Sequence, residues 1–113
     1  MILFTSAFSA VTSAISWQRR IEALNSPLHA SRRMEFRVGV NSGDVLITPD
    51  GNVFGDAINI AARLQELASP GRVLIAGVVW DQLQGHGGLK FQFFRTNELK
   101  NLSREIRIYS LEF

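Results

Sequence analysis

Near Pro27 the chain changes its hydrophobic period, and this change restricts the fold more than any other feature of the sequence. Before it, Ala7, Val11, Ala14, Ile21 and Leu24 recur at three-, four- and seven-residue steps, which places them on one stripe of an α-helix. After it, Phe36, Val38 and Val40 alternate with Arg37, Gly39 and Asn41, the period of a strand with one buried face. A chain carrying both periods must pack helices on a sheet. The helix is expected from about Ser6, a suitable N-cap, to about Asn25, with Pro27 ending it.

The remaining elements follow from turn and stop signals. Ser42-Gly43-Asp44 supplies turn chemistry and residues 45–48 a second short strand, so these two strands are expected to form a hairpin. Residues 49–52 form another turn or loop. A second helix is expected from Gly55 or Asp56 to about Ala68, stopped by Ser69-Pro70-Gly71. Residues 72–76 read as a compact strand, Gly77 as the cap of a short helix, and residues 85–88 as a loop. Residues 89–94 and 106–111 read as two closing strands around a polar connection. This order predicts an α+β sandwich, a mainly antiparallel sheet with helices on one side. No repeat, low-complexity tract or charge block divides residues 1–113, which read as one domain.

Composition removes several function classes. A net charge of +2 argues for neither nucleic acid nor an anionic membrane as partner. There is no cysteine, and His29 and His86 lie far apart, so no metal site is expected on thiolates or on the histidine pair. The uncharged stretch before Arg19 resembles a membrane segment, but its Ser and Thr residues are costly in lipid. An amphipathic helix without a membrane segment, in a cytoplasmic protein, is the expectation. Lys90-Phe91-Gln92-Phe93-Phe94 places aromatics beside a base, yet Phe91 and Phe93 alternate as core residues would, so no nucleic acid is expected. Trp17 and Trp80 read as packing groups.

Generic catalytic motifs are absent: Gly85-His86-Gly87-Gly88 is not followed by Lys-Ser or Lys-Thr, and no nucleophile elbow is visible. On the second helix Asp56, Asn59, Arg63 and Glu66 share a polar stripe, while Ile60, Leu64 and Leu67 share an apolar one. Periodicity alone favours a wet helix face with Arg63 and Glu66 as a weak surface pair. An amide and a guanidinium one turn apart are also suited to a nucleotide. The guanidinium fork matches phosphate oxygens, and the amide can donate to and accept from a ribose.

A resemblance favours the second alternative. Residues 36–45, Phe-Arg-Val-Gly-Val-Asn-Ser-Gly-Asp-Val, resemble the strand-turn segment of class III adenylate and guanylate cyclases. Residues 54–64 resemble that family's G-x-x-[VI]-N-x-A-x-R signature. Pro70-Gly71 with the strand after it, Leu99-Lys100-Asn101 with Ile106-Arg107-Ile108-Tyr109, and Phe4-Thr5-Ser6-Ala7 are similar to flanking family segments.

The resemblance implies a ferredoxin-like sandwich of the nucleotidyl cyclase type, N-terminally truncated, that dimerises as a homodimer or with a second cyclase subunit. ATP or GTP would bind between subunits and become a 3′,5′-cyclic nucleotide and pyrophosphate. By motif position, Asn59 would orient the ribose, Arg63 would stabilise charge on the α-phosphate, and Lys100 would neutralise the terminal phosphates. Asn52 matches the purine-selecting position, where many adenylate cyclases of the family carry aspartate. The family's two Mg or Mn ions are held by two aspartates in segments that would precede Met1, and Asp44, Asp50, Asp56 and Asp81 match no metal position. The resemblance thus implies a partial catalytic domain, without metals and inactive alone. Its alternative role is a pseudo-cyclase module paired with a complete subunit.

Overall fold

A computed structural model describes residues 1–98 and 105–113. Helix α1 (Ala7–Asn25) starts where the sequence places it: the Ser6 hydroxyl accepts from the Ser9 backbone amide at 3.0 Å, satisfying a donor the first turn leaves free. Its buried residues are Val11, Ala14, Ile15 and Gln18. Leu24, expected on that stripe, is 51% exposed. At about 100° per residue, it has rotated roughly a quarter-turn away from Ala7. Gln18 is only 4% exposed and donates to the carbonyls of Phe36 at 3.0 Å and Arg72 at 3.2 Å. A polar residue on the apolar stripe thereby ties together the backbone leading into two strands.

The next elements are β1 (Val38–Val40), β2 (Leu46–Ile47), β3 (Val53–Phe54) and α2 (Asp56–Leu67). They are followed by β4 (Val73–Ala76), α3 (Gly77–Gln82), β5 (Lys90–Glu98) and β6 (Glu105–Glu112). The main sheet has the order β1-β4-β6-β5. Its β1–β4 pair is parallel, and β4–β6 and β5–β6 are antiparallel. The expected hairpin is corrected. Strand β2 pairs not with β1 but with β3, Leu46 opposite Phe54 and Ile47 opposite Val53. Residues 49–52 form its turn, closed by Gly51 at φ 86° and by backbone bonds from the Thr48 amide to the Asn52 carbonyl and from the Gly51 amide to the Thr48 carbonyl. Strand β1 instead joins the wholly apolar β4.

The α+β sandwich expected from the sequence is present, with one correction to its layering. All four residues of β4 are buried, so both of its faces need cover. Val73 and Ile75 pack with Val11, Ala14 and Ile15 of α1 and with Val79 of α3. Leu74 and Ala76 pack with Ile60, Leu64 and Ala68 in and just beyond α2. The helices therefore lie on both faces of the sheet rather than on one. Helix α2 also sits against β1 so closely that a Cβ on Gly39 would lie 2.4 Å from the Ala61 carbonyl oxygen and 2.5 Å from the Gln65 nitrogen.

Helix α3 is fastened to β6 by Arg107, which donates to Asp81 at 2.9 Å, and by Trp80 stacked on Tyr109 at 4.7 Å. Trp80 thus packs as expected, whereas Trp17 is 43% exposed beside Phe4. Phe91 is packed against the core, but Phe93 is 54% exposed, correcting the expectation of a buried pair. Strand β5 is the edge of the sheet, and Phe93 rests edge-on against Tyr109 just before a shift of register between Phe93 and Arg95. Among the described residues no helix is long and apolar enough to cross a membrane.

The Gly39 contact makes a stability prediction. Gly39→Ala forces backbone against backbone and should destabilise by about 1–3 kcal/mol in urea unfolding. Gly87→Ala, where a Cβ meets nothing within 4 Å, should stay within about 0.5 kcal/mol.

Candidate functional site

Helix α2 carries the candidate residues, and its sequence explains how it presents them. Gly55, at φ 150°, lets the chain turn sharply out of β3 into the helix. Its carbonyl accepts from the Ile58 amide at 3.2 Å, and Asp56 places a negative charge in the first turn, where the helix dipole favours it. Ile60 and Leu64, 3% and 0% exposed, are drawn onto the sheet. The opposite face then points to solvent, with Asp56, Asn59 and Glu66 exposed and Arg63 half-buried.

Asn59 and Arg63 are therefore one helical turn apart on the wet face. Among the described residues no side-chain hydrogen bond holds Asn59. Arg63 donates to Glu66 at 3.0 Å, the surface pair that periodicity alone suggests, and both side chains are well exposed, at 42% and 66%. Such an exposed pair at i, i+3 is worth at most about 1 kcal/mol, so it does not lock the guanidinium. Neither candidate is sealed in the core.

Asn52 lies at the end of the β2–β3 turn, and its side chain donates to the Asp50 carboxylate at 2.9 Å. The same carboxylate accepts from the Thr48 hydroxyl and from the Asn52 backbone amide. These bonds, the Thr48 hydroxyl first, hold the Asp50 carboxyl below its ordinary value. Strand β3 connects this turn directly to the start of α2, which places Asn52 at one end of the candidate region. Lys100 lies outside the described residues.

A cleft of about 1150 Å³ runs beside β1 between α1 and α2 and is walled by Trp17, Phe36, Val38 and Ala61. Asn52, Asn59 and Arg63 do not line it. The candidate site is thus an open helix face rather than a cavity. A two-ion centre needs converging carboxylates, yet Asp50 is committed to Thr48 and Asn52, and Asp81 to Arg107. Among the described residues no group of three or more His, Cys, Asp or Glu side chains comes together. Asp50 and Asp81 are thus already engaged by neighbours.

Sequence reasoning passed over Asn41, whose Nδ2 donates to the Ala57 carbonyl in the first turn of α2 at 3.1 Å. The available signal was its position just past a strand and before Ser-Gly, where a side chain can turn back onto a neighbouring element.

Comparisons with known proteins agree with this architecture. Residues 5–112 match the model of the adenylate and guanylate cyclase catalytic domain. A Rhizobium meliloti protein that carries a provisional name as adenylate cyclase 3 is 36% identical over 110 residues, which is 97% of this chain and 19% of that protein. The crystal structure of an adenylate/guanylate cyclase/hydrolase from Silicibacter pomeroyi superposes with a TM-score of 0.89 at 30% identity, covering 96% of this chain and 63% of that one. The adenylyl cyclase CyaB from P. aeruginosa, at 20% identity and a TM-score of 0.75 over 95% of this chain and 59% of its own, shares the fold. The chain thus spans about a fifth of the curated relative and under two thirds of these two solved structures.

The Asp50 contacts give a testable pH dependence. A carboxyl with a lowered folded value stabilises the turn above its unfolded value, and that contribution is lost as pH falls through the folded one. The Asn52 side-chain amide signal in NMR should therefore titrate with a midpoint below the ordinary carboxylate range, and Thr48→Val should raise that midpoint.

Proposed function

The chain belongs to the adenylate and guanylate cyclase catalytic-domain family, and we propose that it supplies the ribose- and phosphate-contacting part of a nucleotidyl cyclase site. The observation that carries this reading is the exposed Asn59 and half-buried Arg63 one turn apart on the solvent face of α2. In the proposed reaction the ribose 3′-oxygen of ATP or GTP bonds to the α-phosphorus and loses its proton. The bond from that phosphorus to the bridging oxygen breaks, and pyrophosphate leaves with its electron pair.

Each residue has a part that its chemistry suits. The Asn59 amide, holding no other partner among the described residues, orients the ribose by donating and accepting. The Arg63 fork meets the α-phosphate oxygens and stabilises the charge that builds on them. Its exposed bond to Glu66 is weak, whereas a charge-assisted bond to phosphate is worth about 1.5–3 kcal/mol, so the guanidinium transfers readily. Asn52 faces the purine with an amide able both to donate and to accept, which suits either ATP or GTP. Lys100 neutralises the terminal phosphates.

Turnover also needs two divalent ions, Mg or Mn, on paired carboxylates, and two of the chain's aspartates, Asp50 and Asp81, are already engaged by Thr48 and Asn52 and by Arg107. We therefore propose that residues 1–113, acting alone in the cytoplasm, bind a nucleoside triphosphate without cyclising it. A homodimer of these residues carries the same donor set twice. A second reading has a specific observation in its favour. On the β2–β3 hairpin Leu46, Ile47 and Phe54 are 65%, 58% and 53% exposed, an apolar surface beside the site helix. This favours a non-catalytic module that pairs with a complete cyclase subunit, the partner supplying the carboxylates.

Incubation with ATP or GTP and manganese should give no cyclic product by mass spectrometry, and clear turnover would overturn the inactivity. In calorimetric titrations with the triphosphate, Arg63→Ala should weaken binding about tenfold, whereas Glu66→Ala should not weaken it. A wild-type chain that binds neither triphosphate would remove the nucleotide reading.

A further inference from the structure

The turn after β1 grips the first turn of α2 at several points. Asn41 donates through Nδ2 to the Ala57 carbonyl at 3.1 Å. A Cβ on Gly43 would lie 2.9 Å from the Ala57 Cβ, and one on Gly55 would lie 3.0 Å from the Asp44 carbonyl oxygen. The turn is itself anchored from the other side, because Gln82 of α3 donates to the Ser42 hydroxyl at 3.1 Å. That end of α3 is in turn bound to β6 through Asp81 and Arg107. A continuous set of contacts therefore runs from the sheet, through the turn, to the N-terminal end of the site helix.

These contacts differ in what they can specify. Burial of Ile60 and Leu64 holds α2 onto the sheet, but apolar attraction is non-directional and tolerates a small rotation or slide of the helix. The contacts at Gly43 and Gly55 set how near the backbones come and nothing more. The Asn41 bond has a direction. A helix carbonyl has two lone pairs, of which the i+4 amide uses one, and Asn41 takes the other on Ala57. It thereby marks one angular position on the helix, at its start and two residues before Asn59. A binding constellation tolerates only about 10–20° of misorientation, so this angular position matters to whatever Asn59 and Arg63 hold.

We infer that Asn41 is a positioning residue: its amide sets the rotation of α2 against the sheet and, through it, the directions in which Asn59 and Arg63 project. The inference rests on the nucleotide reading of α2, but its mechanical part can be measured without nucleotide. Asn41 itself touches no substrate in this account. It acts through the backbone of the residue it holds.

The test uses the whole chain with Asn41→Asp, which keeps the shape and removes the donor, and Asn41→Ala as a second variant in case the first fails to fold. Amide hydrogen exchange followed by NMR should accelerate about tenfold over residues 58–63, with the strand amides of Ile75 and Ile108 unchanged. The Arg63 Nε signal should shift in both variants. Affinity for the non-hydrolysable probe α,β-methylene-ATP should fall about tenfold at a temperature where each variant is fully folded. Exchange that accelerates uniformly across the molecule would mean a merely structural role and overturn the inference. Unchanged exchange in α2, or altered exchange with unchanged affinity, would also overturn it. A wild-type chain that fails to bind the probe removes the nucleotide reading, and the exchange pattern with the Arg63 signal then decides the positioning claim alone.

Discussion

The close seat of α2 against β1 is the contact on which the rest of the structure depends. Gly39 has no side chain, and the space a Cβ would occupy is already filled by the backbone of Ala61 and Gln65. A helix this near to a strand can bury a narrow stripe completely, and Ile60 and Leu64 are almost fully enclosed. Burial of one stripe obliges the opposite side of the helix to face water. Asn59 and Arg63 stand on that side because of what lies beneath them. The exposure of the candidate site is thus a consequence of core packing.

The electrostatics of this face turn on how loosely its one arginine is held. Arg63 is held, but only by a neighbour on its own helix and in contact with solvent, where screening and side-chain entropy leave little net energy. Arg107 makes a contrasting pair, since it spans two elements and also lies against the ring of Tyr109. Asp81 raises its affinity for the proton, and a Cβ on Gly77 would lie 2.8 Å from its guanidinium. Arg107 bridges α3 and the sheet, whereas Arg63 bonds only within its own helix. Two arginines with similar geometry to a carboxylate therefore serve different ends.

Much of this was legible in the sequence. The cap at Ser6, the span of α2, its division into a polar and an apolar stripe, and the order of the later strands all follow from local chemistry. The resemblance carried by residues 54–64 made Asn59 and Arg63 candidates, which no periodicity singles out from an ordinary wet face. Other features were not legible. The partner of β1 is 35 residues away in β4 rather than next in sequence, and turn signals at 42–44 and 49–52 look equally able to close a hairpin. Phe93 alternates correctly with Phe91, yet it lies exposed on a strand at the edge of the sheet. The Asp50–Asn52 and Asn41–Ala57 bonds depend on side-chain directions that spacing does not encode.

By itself the sequence determined which segments become helix or strand and which residue types lie on each helix face, because backbone propensity, capping and period act over a few neighbouring residues. The tertiary structure decided how those pieces meet: helices on both faces of the sheet, a parallel β1–β4 pair, and a turn that reaches across to hold α2. These outcomes depend on contacts between residues distant in sequence, where the gain from burying two faces of β4 is set by which helices are near enough to cover them.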